Sequence, residues 1–274
     1  MELKRTKATW HNLPNLAISN IFCKSSIEDR LFNLPFVCKS WAHVSRDPRC
    51  WASMIADTHP LSADDAFVKA SFPYSSAFPD PFRGSRSGGV LRLQMLMDRA
   101  GSGAAITSLF VYPFLNSVGG PSNDDDVLTL IACRCPNLRN LSFHGSYNGS
   151  EGVILELIGK CRKLEVIDFS DSPYFTPAVL EAVKGCCPDI RGIRRNGEVD
   201  SQFSSHLVSS SYSSGFSDLR LINLSDSTIG DMDLLNILCM KKLQYLDITR
   251  CQNLVKYMDL IKRAHGRIPE ICYD

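Results

Sequence analysis

The sequence predicts an α/β solenoid, in which strand–turn–helix units stack side by side, with a small three-helix module in front of it. Three observations support this prediction. One short apolar template recurs through the second half of the chain. A second apolar position keeps a fixed distance from that template in the regular copies. Residues 8–57 follow a different, helical spacing and hold all three tryptophans of the chain. The chain therefore divides into a helical front module and a repeat region.

The repeat template has apolar residues at its first, fourth and sixth positions, as expected of a strand that buries alternate side chains. The copies are Ile106-x-x-Leu109-x-Val111, Leu138-x-x-Leu141-x-Phe143, Leu164-x-x-Ile167-x-Phe169, Ile190-x-x-Ile193, Leu219-x-x-Ile222-x-Leu224 and Leu243-x-x-Leu246-x-Ile248. The fourth copy is degraded, because Arg195 stands where an apolar residue is expected. First positions are 32, 26, 26, 29 and 24 residues apart, and the regular steps fall within the roughly 20–29 residues of leucine-rich repeats.

The second register explains several of the eleven cysteines. Cys135, Cys161 and Cys187 each lie three residues before a template, and Phe216 and Met240 occupy the same position in later copies. A position that accepts Cys, Phe or Met is apolar, and a free cysteine behaves there as a small hydrophobe. We therefore interpret these thiols as packing residues.

Helices are predicted between the strands, over residues 124–132, 152–159, 177–183 and 234–238. The first opens with three aspartates and the third with Pro177, both typical of a helix N-terminus. Strand, turn and helix at one period give stacked units with a continuous core. Over roughly residues 105–265 the pattern resembles the cysteine-containing class of leucine-rich repeats. The resemblance implies about six repeats in a curved arc, with parallel strands on its concave face, in a domain spanning residues 105–274.

The front module is predicted to contain three short helices. Pro14 begins the first, with Ile18, Ile21 and Phe22 on one face, and a second runs over residues 28–33. Pro35 begins a third, which places Val37, Cys38, Trp41 and Val44 on one stripe before Asp47-Pro48 ends it. Because small modules bury little of their apolar surface, the excess of apolar side chains here indicates a standing partner.

The same residues carry a family resemblance. Leu13-Pro14, Ile21-Phe22, Val37-Cys38-Lys39-Ser40-Trp41 and Asp47-Pro48-Arg49-Cys50-Trp51 resemble, in order and spacing, the F-box. Three positions depart from the family pattern: Asn15-Leu16 replaces the acidic residue after Leu-Pro, Ala17 replaces a larger aliphatic, and Cys50 replaces leucine.

The F-box resemblance implies a non-catalytic receptor that docks onto the Skp-type adaptor of a Skp–cullin–F-box ubiquitin ligase, and through it onto the cullin. Carried over position by position, the adaptor-binding set is Leu13, Pro14, Ile18, Ile21, Phe22, Val37, Cys38 and Trp41. An F-box followed by a cysteine-rich repeat region is similar to the plant-type F-box/leucine-rich-repeat proteins.

Two segments connect or interrupt these parts. Residues 58–104 are predicted to be a linker ending in a helix over 90–99, whose Leu91, Leu93, Met95 and Leu96 suit a cap for the first repeat. Residues 201–217 are dominated by serine. They form either a poor helix through Phe203, Leu207, Val208 and Tyr212, or a mobile loop.

The strand residues between template positions are expected to face outward on the concave side, where they are available to a target protein. From these positions we select as target-binding residues Phe110, Tyr112, His144, Asp168, Arg194 and Tyr245, because mixed polar and aromatic surfaces suit protein recognition. Arg191, Arg194 and Arg195 form a basic spot suited to an acidic or phosphorylated segment.

Composition and motifs exclude other classes. The 30 basic and 29 acidic side chains nearly cancel, so neither a nucleic-acid nor a membrane partner is expected. Met1 to Trp10 lacks the apolar core of a secretory signal, and no apolar run is long enough to span a membrane. Reduced thiols in the cytoplasm and/or the nucleus are therefore expected. No Cys-x-x-Cys pair, P-loop or hydrolase motif is present, so we predict no metal, no cofactor and no enzymatic activity.

One alternative remains open from the sequence. The departures in the front module are compatible with a degenerate F-box, in which case the chain is a repeat-only interaction module that does not join a ligase.

Overall fold

The computed structural model describes residues 10, 13–25, 29–51, 93–94, 97–98, 103–111, 124–143, 149–197, 203, 206–207, 216, 218–251 and 254–273. Among these residues the front module is helical, and the repeat region alternates strands and helices. Among these residues, each helix is too short or too polar to span a lipid bilayer.

The front module begins with helix α1 (Asn15–Lys24). Pro14 starts it as predicted, and its carbonyl accepts hydrogen bonds from the amides of Ala17 and Ile18. A π-helical turn (Asp29–Asn33), a 3₁₀ turn (Leu34–Phe36), helix α2 (Lys39–Val44) and a second 3₁₀ turn (Pro48–Cys50) follow.

The predicted third helix is shorter than expected. Pro35 belongs to the separate 3₁₀ turn, and Cys38 has an extended backbone with φ −168° and ψ 173°, so α2 starts only at Lys39. Val37 therefore does not share a helical stripe with Trp41 and Val44, which corrects the sequence prediction.

The repeat region forms a sheet of seven strands among the described residues, all parallel and in chain order. The strands are β1 (Ser108–Val111), β2 (Asn140–Phe143), β3 (Val166–Asp168), β4 (Gly192–Arg194), β5 (Leu221–Asn223), β6 (Tyr245–Asp247) and β7 (Glu270–Cys272). The prediction of about six repeats is one strand short. Strand β7 lies within the segment Ile268-x-x-Ile271-x-Tyr273. This segment matches the template, with an aromatic residue in its last position.

Helices return the chain from the end of one strand to the start of the next, as parallel pairing requires. They are α3 (Asp124–Arg134), α4 (Glu151–Lys160), α5 (Pro177–Cys186), α6 (Asp231–Leu238) and, after a 3₁₀ turn (Leu254–Tyr257), α7 (Met258–Ala264). The four predicted helices are confirmed, each longer by a few residues. Parallel strands alternating with helices at a regular period form an α/β repeat arrangement.

The core follows the two registers found in the sequence. The central template residue of each strand is buried and pairs with its counterpart in the next strand, as Leu141 does with Ile167. Cys135, Cys161 and Cys187 are fully buried, which confirms their interpretation as packing residues. The thiol of Cys161 donates to the carbonyl of Cys135 at 3.5 Å, and that of Cys187 to the carbonyl of Cys161 at 3.9 Å.

Stacked phenylalanines fill the core around the sixth position of the template, which Phe143 and Phe169 occupy. The rings of Phe143 and Phe169 lie 5.9 Å apart and nearly parallel, and Phe175 continues the stack 5.5 Å from Phe169. Phe203 extends it beyond Phe175. In the next repeat the equivalent position is Arg195, which is buried and donates from Nη1 to the carbonyl of Asn196 at 2.7 Å. The degraded copy thus still forms a strand.

Two connecting segments are partly described. Of the serine-rich stretch, Phe203 and Leu207 are helical and buried, four residues apart on one helix face, which supports the helical alternative for this part. In the predicted cap helix, Leu93 and Met97 are helical and buried, and Asp98 is bonded to Arg134 at the end of α3. His206 and Phe216 of the first segment and Gln94 and residues 103–104 of the second are also described, and the rest of both segments lies outside the described residues.

Candidate interaction surfaces

Trp41 organises the core of the front module. Its ring packs against Phe22 at 6.0 Å and against Trp10, edge to face, at 6.4 Å. Its indole nitrogen donates to the carbonyl of Trp10 at 3.1 Å. Trp51 is fully buried as well and donates from its indole to the carbonyl of Ser45 at 2.8 Å. The tryptophan-rich signature therefore builds the module's own interior, with each buried indole N–H satisfied.

Arg30 is a core residue that the sequence analysis missed. Its side chain is fully buried, and its guanidinium donates to the carbonyls of Cys23 (2.8 Å), Ser25 (2.9 Å) and Cys50 (3.0 Å). Burial lowers the pKa of Arg30. The arginine ties the C-terminal end of α1, where carbonyls lack helical partners, to the last 3₁₀ turn.

The predicted adaptor-binding residues fall into two groups. Pro14 and Val37 are exposed, and Leu13, Ile21 and Cys38 are half-buried, so all five are accessible from outside. Ile18, Phe22 and Trp41 are buried inside the module. The helical face that carries Ile18 and Phe22 is the face that packs against α2. In this conformation these three residues support the surface and do not lie on it.

Three accessible apolar residues were not among those predicted. Trp10 is 67% exposed, Leu16 64% and Phe36 75%, and Val37, which was predicted, is 44% exposed. A signal for Leu16 was present in the sequence. It lies two residues before Ile18, which rotates it about 200° away from the buried stripe of α1. The position of Phe36 required the 3₁₀ turn, which the sequence pattern does not specify.

One departure from the F-box pattern is accommodated internally. Cys50, which replaces a leucine, is fully buried, and its thiol lies 3.5 Å from the carbonyl of Val44. Burial raises its thiol pKa, so it packs as a neutral apolar residue.

The sheet face opposite the helices carries a hydrogen-bonded row of polar side chains. Ser142 donates to the Asp168 carboxylate at 3.0 Å across two strands. The other carboxylate oxygen accepts from the amide of Ser170 at 3.0 Å and from its hydroxyl at 2.6 Å. Asp168 is 4% exposed. It was predicted to contact a target, but its lone pairs are engaged within the sheet face.

The same local bond recurs in later repeats. Asn223 accepts from the amide and hydroxyl of Ser225, and Asp247 accepts likewise from Thr249. Asn223 also donates to Asp247 at 3.0 Å. An Asx residue followed two positions later by Ser or Thr is a common local turn motif, and here it rigidifies the strand ends.

Gly192 closes the middle of this face. A side chain at this position would start 2.9 Å from Cγ1 of Val166, and the Leu221 side chain flanks it on the other side. Val166 and Leu221 are themselves buried. The face is therefore packed by its own side chains around β4, without an open cleft there.

The remaining target-binding predictions lie at different places on the sheet. Phe110 belongs to β1, while Tyr112 and His144 lie outside the described residues. Arg194 is half-buried between Asp168 of β3 and Asn223 of β5. Tyr245 is half-buried, with its hydroxyl 3.4 Å from Asp247. Burial, and then the Asp247 carboxylate, raise the pKa of its phenol. Of the basic spot predicted at residues 191, 194 and 195, Arg191 is exposed and Arg195 is buried.

Comparison with known proteins gives matches at two levels. A model of the F-box domain matches residues 10–53. The F-box protein SKIP1 of Arabidopsis thaliana is 26% identical over 68% of this chain and 55% of its own length. The F-box/LRR-repeat protein 23 of the same plant is 23% identical over 96% of this chain and 52% of its own length. The chain thus spans about half the length of the curated relatives it matches.

The fold and these matches indicate the same class of protein. The chain carries an F-box domain at its front, as the resemblance predicted. Its similarity to an F-box protein and to an F-box/LRR-repeat protein, together with the parallel repeat sheet, supports its identification as an F-box/leucine-rich-repeat protein.

Proposed function

We propose that this chain is the substrate-recognition subunit of a Skp–cullin–F-box ubiquitin ligase, without catalytic activity or a cofactor of its own. Its F-box docks a Skp-type adaptor, and through it a cullin. Its repeats form a curved solenoid that binds a target protein on the strand side. The observation that carries the proposal is a set of exposed apolar side chains on a module whose interior is already packed.

The docking surface is built from Leu13, Pro14, Leu16, Phe36 and Val37, with Ile21 and Cys38 at half-buried positions beside them. Large apolar side chains left in water on so small a module favour burial against a partner. Burying a phenylalanine or leucine contributes about 1.5–3 kcal/mol. Ile18, Phe22 and Trp41 hold the helices that present this surface.

The proposed compartment is the cytoplasm and/or the nucleus. All eleven cysteines are free thiols, and both buried and exposed ones occur among them. Free thiols at this density persist in a reducing environment.

The test is a binding titration with a purified Skp-type adaptor. We expect Leu16→Ala/Phe36→Ala to weaken adaptor binding by about tenfold or more, and Leu13→Ala/Pro14→Ala to weaken it as well. Met232→Ala is the matched control, because Met232 is equally exposed, at 66%, but lies on α6 of the repeat region. Tryptophan fluorescence verifies that the front-module variants are folded, and circular dichroism verifies the fold of the Met232→Ala control.

Two results would count against the proposal. Unchanged adaptor affinity in both double variants refutes the docking surface. A wild-type chain that binds no Skp-type adaptor favours the alternative, a repeat-only interaction module with a degenerate F-box.

A further inference from the structure

In the repeat region, basic side chains concentrate near the starts of the strands and acidic side chains near their ends. All strands are parallel, so all begin along one line, which we call the start rim. It comprises residues 136–139, 162–165, 188–191, 218–220, 241–244 and 266–269. Because the helices return the chain from strand end to strand start, their C-termini lie on this side and their N-termini on the other, the end rim.

Helix electrostatics explain the sign of each rim. Helix N-termini favour acidic side chains and C-termini favour basic ones. The first turns of α3, α4 and α6 carry Asp124–Asp126, Glu151, and Asp231 with Asp233, whereas the last turns of α3, α4 and α7 carry Arg134, Lys160, and Lys262 with Arg263. Because the units stack in parallel, the same preference recurs in successive units, and positive charge is separated from negative charge across the repeat region. The net charge of the chain is near zero and gives no sign of this separation.

Exposed cations line the start rim itself. They are Arg139, Arg162, Lys163, Arg191, Arg220, Lys241, Lys242 and Arg267. The acidic residues there are Glu165, Asp189 and Asp218.

Local ion pairs neutralise only part of this charge. Glu165 lies 2.6 Å from Arg139 and 3.9 Å from Arg191, so one carboxylate serves two guanidinium groups. Asp218 is paired with Lys242. Arg220, Lys241 and Arg267 have no carboxylate within ion-pair distance in the described part of the chain.

We propose that the start rim, centred on Arg191 and Arg220, binds an extended acidic segment of a protein. The inference rests on the proposed function in one respect, that the segment belongs to the recruited target. Arg191 and Arg220 precede neighbouring strands and are joined by a backbone hydrogen bond of 2.7 Å. Neighbouring strands lie about 4.8 Å apart, and an extended peptide rises about 3.3 Å per residue. Carboxylates two residues apart, at about 6.6 Å, are therefore within reach of the long cationic side chains of successive repeats.

A protein segment fits this rim better than a nucleic acid does. Glu165, Asp189 and Asp218 interrupt the cations, and a nucleic-acid strand with a phosphate about every 3.4 Å would be repelled at those points. Single-stranded nucleic acids also require aromatic stacking platforms. None of the exposed large apolar side chains of the described residues lies on the start rim.

The test measures fluorescence anisotropy of a labelled peptide of about twelve residues, alternating Glu and Ser, with the full chain at about 0.1 M salt, where screening acts over about 10 Å. We expect Arg191→Glu/Arg220→Glu to weaken binding by about tenfold, and Arg191→Gln/Arg220→Gln to give a smaller loss. The control, Arg250→Glu/Lys256→Glu, reverses the same number of charges on the end rim and is expected to change the affinity by less than about twofold. Circular dichroism verifies that all three variants are folded.

Several outcomes would overturn the inference. These are an unchanged affinity in the Arg191→Glu/Arg220→Glu variant, an equal loss in the end-rim control, or a single-stranded DNA of about twelve bases binding more tightly than the peptide. Adaptor capture, measured in parallel, is expected to be unchanged by the rim variants. If the wild type captures no adaptor but the rim variants still lose the peptide, the proposed function fails and the rim remains a binding surface.

Discussion

Trp41 donates its indole N–H to the backbone carbonyl of Trp10, 31 residues earlier in the chain, while the two rings meet edge to face. The donor is buried and the acceptor residue is 67% exposed. Because the bond reaches a main-chain carbonyl, it is independent of the Trp10 side chain. The pair therefore separates two roles of tryptophan in this module, one in the core and one on the surface.

Substitutions at these two residues are expected to differ strongly in their effect on folding. Trp41→Ala should lower the free energy of unfolding by about 3–5 kcal/mol, because it removes a buried ring. Trp41→Phe should lower the free energy of unfolding through the loss of buried ring area. It should lower it by about a further 1 kcal/mol because one hydrogen bond is broken. Trp10→Ala keeps the carbonyl and should cost under about 1 kcal/mol.

Urea titration by tryptophan fluorescence measures these changes, because all three tryptophans lie in the front module and report on it selectively. For the Trp41→Ala variant, emission comes from Trp10 and Trp51. Equal losses in Trp10→Ala and Trp41→Ala would contradict the assignment of the two roles.

Arg30 is expected to be essential for the stability of the front module although it carries a charge into the interior. Arg30→Met should lower the free energy of unfolding by about 2–4 kcal/mol, because three carbonyl acceptors lose their donor. Arg30→Lys should not rescue it, since an ammonium group cannot reproduce the guanidinium fork. Arg46→Ala, at an exposed position in the same module, is the control, with an expected change within about 0.5 kcal/mol. A stable Arg30→Met variant in the same fluorescence titration would refute this role.

The closed sheet face around β4 predicts opposite effects for two glycine-to-alanine substitutions. Gly192→Ala should destabilise the chain by about 1–3 kcal/mol, because its Cβ would meet the stiff Val166 side chain. Gly185→Ala, in α5 with no neighbour within 4 Å, should stabilise by about 0.5–1 kcal/mol. Thermal melting followed by circular dichroism compares them. Val166→Ala added to Gly192→Ala should recover part of the loss, and no recovery would argue against the contact.

The buried thiols predict a loss of stability at high pH. Burial raises the pKa of Cys135 and Cys187 to about 12 and that of Cys161 to about 11, from an ordinary 9.0. A raised pKa means that the unfolded chain releases the proton first, so stability is complete below pH 9 and declines as the pH rises through 9 towards 12. Each thiol should contribute a decline of about 1 kcal/mol between pH 8 and pH 10.

Urea titrations at pH 8 and pH 10, followed by circular dichroism, measure this decline. Cys161→Val should reduce the decline by about 1 kcal/mol, the contribution of one thiol. An unchanged decline would show that ionisation of the buried thiols does not cause it. At pH 8, iodoacetamide should label the exposed Cys23, Cys133 and Cys239 and spare the three buried thiols.

The elements that the sequence predicted are those in which burial repeats at a fixed spacing. The template placed Leu141 and Ile167 on neighbouring strands, and both registers were needed to recognise Cys161 as core. The prediction missed β7, whose template Ile268-x-x-Ile271-x-Tyr273 ends in an aromatic residue with a polar hydroxyl. It also placed the start of α2 at Pro35, because a proline suits the first turn of an α-helix and of a 3₁₀ turn alike.

The candidate surfaces were less predictable, because accessibility depends on neighbours distant in sequence. Alternation along β3 correctly places Asp168 on the outward side of the sheet, yet Asp168 is buried and accepts hydrogen bonds from Ser142 and Ser170. Phe36 is apolar and was not selected, yet the turn around Pro35 turns it to solvent. Alternation specifies a side of the sheet and says nothing about what the adjacent strands place there.

The sequence by itself predicted the α/β repeat arrangement, the helical spacing of the front module and the period of the repeats, since these follow from the spacing of apolar residues along the chain. Only the tertiary structure decided which polar groups are satisfied internally, how Arg30 is held, and that the charges separate onto two rims. The physical reason is that hydrogen bonding, desolvation and electrostatic fields depend on distances between strands and helices, which the sequence order alone does not contain.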